Sequence, residues 1–265
     1  MLKAILYYIL FIAVFFITII FGGFLFGIYI AIGAAKGYLD DKTTAALSTP
    51  SSPFIIGIIL LCILITWLTF RHYKFSKFSL GKVASASKWK AITYGSMPIV
   101  GITMLYYAII NLLHIDWLPA DMADIGYFSF LPYAIFGSFI AAYVFYGAIQ
   151  EELIQSGKKK WVQYLTLCLM MVPASLLAVT KNGDISLNLT IIGVISTCYC
   201  CWYYEKTRSS IVLLACYLIS NLVPYKFDSV PLGIALIIVG ISLTAYGSIS
   251  LRNNLTNWLQ KNESK

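Results

Sequence analysis

Two adjacent carboxylates, Glu151 and Glu152, stand where a long apolar stretch gives way to a polar turn, in the run "YGAIQEELIQSGKKKW" from Tyr146 to Trp161. Neighbouring carboxylates at the end of a buried helix can share a proton, which raises one of them towards the range of a general base. The competing reading is solvated charge at a membrane surface, paired with Lys158, Lys159 and Lys160. Further along, Tyr217 and Asn221 are four residues apart, so a hydroxyl and an amide share one helix face. The other reactive side chains offer less. The only histidines, His72 and His114, fall on opposite sides of the membrane in the topology below, which leaves no His-based metal centre and no Ser-His-Asp or Cys-His set. All six cysteines lie in apolar segments; "CYCC" at 198–201 has no histidine or further cysteine pair beside it and reads as core packing. Neither a metal nor a cofactor is expected.

The elements that must position these residues are membrane helices. Of 265 residues, 60% are hydrophobic and 11% charged, with a mean hydropathy of +0.81, whereas soluble domains carry about 25% charged residues. The expected fold is all-α, a polytopic transmembrane bundle forming a single integral membrane domain over 1–265. About eight spans are expected, at Ala4–Ile32, Phe54–Phe70, Ala91–Leu113, Phe128–Ile149, Trp161–Thr180, Leu189–Tyr204, Ile211–Val223 and Val230–Leu251. The sixth and seventh are short enough to be re-entrant. The first is too long for the core of a cleaved signal and reads as an anchor.

Charge orients the bundle. With the N-terminus cytoplasmic, fifteen of the nineteen Lys and Arg face inward, and only Lys36, Lys42, Lys181 and Lys226 lie outside. Every Asp then falls outside and every Glu inside, so both termini are expected in the cytoplasm. The net charge of +8 needs no nucleic acid, because it faces anionic lipid. The 71–90 loop, with aromatics interleaved among lysines, is the expected lipid-contacting segment. Glycines mark helix packing: Gly23 and Gly27 form a G-x-x-x-G, and Gly233, Gly240 and Gly247 recur every seven residues on the last helix.

A second stretch, "TIIGVISTCYCCWYYEKTRSSIVLLACYLISNLV" at 190–223, reads as an apolar helix, a short turn with Thr207 and Ser209, and another apolar helix ending Tyr217-x-x-x-Asn221. Taken in order after "EELIQSG", it resembles the CPBP family, the CAAX-protease and bacteriocin-processing membrane endopeptidases. Members carry E-E-x-x-x-R-G, then F-x-x-x-H, then a turn leading into H-x-x-x-N. The resemblance covers roughly 140–223, within a CPBP-like core at about 128–251. Ser156 stands at the motif arginine, Met171 and Ser175 at the Phe and His, and Tyr217 at the second His; Asn221 is kept. The resemblance implies Glu151 as a base, Asn221 as an oxyanion donor, no established metal requirement, and a bacterial plasma membrane. Ser175 and Tyr217 serve only as hydrogen-bond donors near neutral pH. Losing one positioned acid or base costs about 10²–10⁴-fold, so the implied protein is a catalytically silent relative, a pseudoenzyme that binds membrane proteins or peptides as a scaffold, regulatory or immunity-type factor. An active glutamate-dependent intramembrane protease and a small-solute transporter or channel remain the alternatives.

Overall fold

A computed structural model describes residues 2–40, 43, 47, 52–71, 81–113, 127–176, 187–223 and 229–259. Among them the chain is predominantly helical, with one isolated antiparallel bridge between Val83 and Leu259. We number the helices α1 (Leu2–Ala35), α2 (Pro53–Phe70), α3 (Lys88–Leu112), α4 (Tyr127–Ile140), α5 (Glu151–Gln155), α6 (Lys160–Leu176), α7 (Leu187–Thr207), α8 (Ser210–Ser220) and α9 (Val230–Trp258). A π-helical segment, Ala141–Gln150, joins α4 to α5 without a break, so the three form one rod. Each of the eight apolar segments read from the sequence is helical where described, apart from Leu113 at the end of the third and 221–223 at the end of the seventh. Residues 177–180 of the fifth lie outside the described residues. Among the described residues four helices are long and apolar enough to cross a membrane: Leu2–Ala35, Ser85–Leu112, Leu131–Gln155 and Val230–Trp258. Phe54–Phe70 and Ser210–Ser220 are apolar but shorter.

Local chemistry sets the helix ends. Ser52 caps α2 by accepting the Ile55 N–H at 3.2 Å, with Pro53 following where no N–H is needed. Ser209 caps α8 in the same way, from Val212 N–H at 3.2 Å. The rod stops at Gly157, whose φ of +68° suits glycine. There the Gly157 N–H donates to Ile154 O and the Lys158 N–H to Leu153 O, both at 3.0 Å, the paired closure of a Schellman turn. The rod therefore runs a turn past both glutamates, beyond the end at Ile149 expected for that span.

Packing follows the small residues on one pair of helices. α9 lies along α3 in the most extensive contact of the bundle. Its Gly233, Gly240 and Gly247 meet Leu112, Gly101 with Leu105, and Met97 with Pro98 respectively, and a Cβ at Gly240 would come within 2.9 Å of the Gly101 carbonyl oxygen. The seven-residue glycine stripe is thus the close-approach face it resembles. The G-x-x-x-G of α1 behaves otherwise. Gly23 and Gly27 have open space where a Cβ would sit, and it is Gly22 that packs, against Ile58. Around it α1 exposes Phe16, Ile17, Ile20, Phe21 and Phe24, an apolar surface far too continuous for water.

One end of the bundle gathers Lys82, Lys158–Lys160, Lys206 and Arg208. Segment 81–87 laces that end together: Lys82 N–H donates to Thr207 O at 2.7 Å and Ala84 N–H to Trp258 O at 2.9 Å. Gly81, at φ +60°, lies so close to the Thr207 and Arg208 carbonyls that no Cβ fits. The N-terminal part of α1 reaches the same end, since Tyr8 and Phe11 pack on Phe145 of the rod and α1 touches α5. The first turns of α1 and the last turns of α9 therefore share one end with Lys158–Lys160, Lys206 and Arg208.

Candidate functional site

The π segment brings ten consecutive residues, Ala141 to Gln150, into the protein interior, each of them buried. A π turn widens the helix and shifts the side chains that follow, and such segments cluster at functional sites. Here it delivers Gln150, fully buried, with its Nε2 donating to the Cys201 carbonyl at 2.9 Å and its Oε1 unpartnered. It then turns Glu151 towards the α7–α8 connection.

At that connection Arg208 adopts φ +51°, a left-handed conformation that costs a non-glycine residue about 1–2 kcal/mol. Glycine is the usual choice past a helix end. The side chain accounts for the exception, because Arg208 Nη1 sits between both carboxylate oxygens of Glu151, at 2.8 Å from Oε1 and 2.7 Å from Oε2. Tyr204 Oη donates to Oε2 at 3.2 Å and Gln155 Nε2 to Oε1 at 3.1 Å. A carboxylate has about four lone-pair sites, and these four bonds occupy them. Beside the pair, Lys160 meets Glu205 at 3.0 Å and Tyr164 Oη donates to the same carboxylate at 3.5 Å.

The other candidate residues sit elsewhere. Glu152 is buried and makes no side-chain hydrogen bond or ion pair among the described residues. Ser156 is exposed in the turn that ends the rod, its Oγ donating to Leu153 O at 3.0 Å. The backbone of Ser175 lies in the last turn of α6, at the far end from Lys160; its side chain is outside the described residues. Tyr217 shares a 2.9 Å hydrogen bond with Tyr146, one helical turn before Glu151 on the rod. Asn221 Nδ2 donates to Ser138 Oγ at 2.8 Å and lies 3.4 Å from Ala134 O. Ser138 is roughly 15–20 Å along the rod from Glu151, so Asn221 and Glu151 belong to different depths of the bundle. His72 and His114 lie outside the described residues, as do residues 72–80 of the 71–90 loop.

A thread of hydrogen bonds joined by one aromatic contact nevertheless links two of the candidates. From Arg208 and Glu151 it passes to Tyr204, whose ring packs on Tyr146 with centroids 6.3 Å apart, and from the Tyr146 hydroxyl to Tyr217. Tyr199 and Tyr203, on the same helix as Tyr204, hold α7 to α3 by donating to Gly95 O at 2.8 Å and Ala91 O at 2.6 Å. The sequence reading missed Arg208, Tyr204 and Tyr146. The available signal was an arginine, one of three in the chain, at a helix junction where glycine is expected, on the same side of the topology as an unassigned glutamate pair. All six cysteines are free; Cys168 and Cys198 approach to 3.9 Å between α6 and α7.

No protein-family model, curated protein or solved structure matches the chain.

Proposed function

We propose that this chain is a catalytically silent, CPBP-like integral membrane protein that binds a membrane protein or peptide, as a scaffold, regulatory or immunity-type factor. About eight helical segments lie in a bacterial plasma membrane, with both termini and the basic end in the cytoplasm. The observation that carries the silent reading is the occupation of Glu151. A carboxylate that accepts four hydrogen bonds, two of them from a guanidinium, has no free lone pair with which to take a proton from water. Its cation is Arg208, whereas the motif arginine position holds Ser156. Asn221, which the resemblance makes an oxyanion donor, bonds Ser138 at another depth. The anionic lipid contact assigned to the 71–90 loop belongs to the same reading, which gives the basic end a membrane surface to face.

The test is a cleavage assay on the purified chain in lipid vesicles, using quenched membrane peptides, beside Glu151→Gln and Glu152→Gln. The expected result is the same background rate for all three. A turnover that either variant lowers about 10²-fold or more would establish a working peptidase and end the silent reading. In cells, a photo-crosslinker placed at exposed Ser156 is expected to capture one membrane protein or peptide reproducibly. Capture of lipid alone would remove the binding role.

A further inference from the structure

α7 and α9 both lean on α3 rather than on each other, and between them they leave a half-open groove of about 590 Å³. Trp202 and Tyr199 of α7 face Leu251 and Leu255 of α9 across it, so its walls are apolar. Its rim carries two cations, Lys206 in the last turn of α7 and Arg252 on α9. Among the described residues neither pairs with a carboxylate, since Glu205 is taken by Lys160 and Glu151 by Arg208. No acidic residue lines the groove. Ile195 and Ile249, exposed on the same two helices, carry the apolar surface outward from it.

We propose that this groove is a binding site for one anionic phospholipid, its phosphate on Lys206 and Arg252 and an acyl chain along Trp202, Leu251 and Leu255. The site rests on the reading of the chain as a membrane protein; no residue of 81–90 lines it, although Val83 bridges Leu259 at its end. Two uncompensated charges beside an apolar trough match a molecule that is itself anionic at one end and apolar at the other. Each cation near a membrane surface attracts anionic lipid by about 1 kcal/mol, and a basic pocket between helices concentrates that attraction on one headgroup. Trp202 belongs at such a depth, where an indole sits between acyl chains and headgroups.

Native mass spectrometry of the full chain, released from vesicles of phosphatidylglycerol or of phosphatidylcholine, tests the site. One phosphatidylglycerol is expected to stay bound, with affinity roughly tenfold or more above phosphatidylcholine. Lys206→Gln with Arg252→Gln should abolish that preference. Ser248→Trp, which fills the groove without changing charge, should expel the lipid too. Lys158→Gln with Lys159→Gln, at the same end of the bundle, should change nothing. Equal retention of both lipids overturns the proposal, as does an equal loss in the 158/159 control, which would mean diffuse surface charge. Displacement by millimolar inorganic phosphate would also overturn it, by making the site one for a free anion. Release of the chain from membranes by alkaline carbonate is a separate readout and would remove the membrane reading itself.

Discussion

The first helix and the rod that carries the glutamates are both apolar enough to cross a membrane, yet 11% of the most apolar window of α1 is buried against 72% of that of Leu131–Gln155. Hydropathy measures partition out of water, and both segments satisfy it. Within lipid there is no hydrophobic drive to bring one helix inside another, so close packing and hydrogen bonds decide. The rod offers Ser138, Tyr143, Tyr146, Gln150 and Glu151, whose side chains all bond a different element; Ser138 and Glu151 also bond within the rod. On α1, Thr18 bonds its own helix, to Val14 O at 2.7 Å, and Tyr8 reaches across, to Met170 O at 3.1 Å. The interior position goes to the helix whose polar groups need partners.

That contrast is sharpest at the ion pair. Arg208→Ala leaves a carboxylate whose side chain is 16% exposed without its cation. An expected loss of about 3 kcal/mol would appear as a lowered unfolding temperature in mild detergent. Arg208→Gly removes the same pair but relieves the left-handed backbone, so it should cost about 1 kcal/mol less than the alanine variant. Equal losses would mean that residue 208 stores no strain.

Next in size is the α3–α9 seam. Gly240→Ala puts a methyl 2.9 Å from the Gly101 carbonyl and is expected to cost about 1–3 kcal/mol, read by the same melt. Tyr217→Phe removes one hydroxyl from the thread to Tyr146 and should cost about 1 kcal/mol. A larger loss would show that the tyrosines act as a cooperative unit. At the bottom of the scale, Gly27→Ala and Phe16→Ala on α1 should stay within about 0.5 kcal/mol. A substantial loss at Gly27 would break the comparison, because it would mean that the exposed face of α1 is covered by something outside this chain.

The sequence made the helical segments and the glycine stripe of α9 legible, because apolar run length and a seven-residue spacing are both local features of the chain. It also placed Glu151 and Glu152 near a helix end and picked out the turn around Thr207 and Ser209. It did not separate Gly23 and Gly27 from the α9 stripe, since both carry the spacing that permits close approach and only a partner makes it close. The π segment was equally hidden. "AAYVFYGAIQ" has no glycine pair or proline to announce a widened turn, and its geometry answers to the interior around it.

Apolar run length in the sequence was enough to mark this chain as a bundle of apolar helices. Hydropathy and charge act residue by residue and need no knowledge of neighbours. What Glu151 meets was visible only in the tertiary structure. Glu151 and Arg208 are 57 residues apart, and no periodicity links an acid on one helix to a cation in a distant turn. Their meeting depends on the π segment's rotation, on the two-residue junction between α7 and α8, and on the hold of α7 on α3 through Tyr199 and Tyr203. A carboxylate becomes a base or a structural anion according to what fills its lone pairs, and that is fixed only when the helices pack.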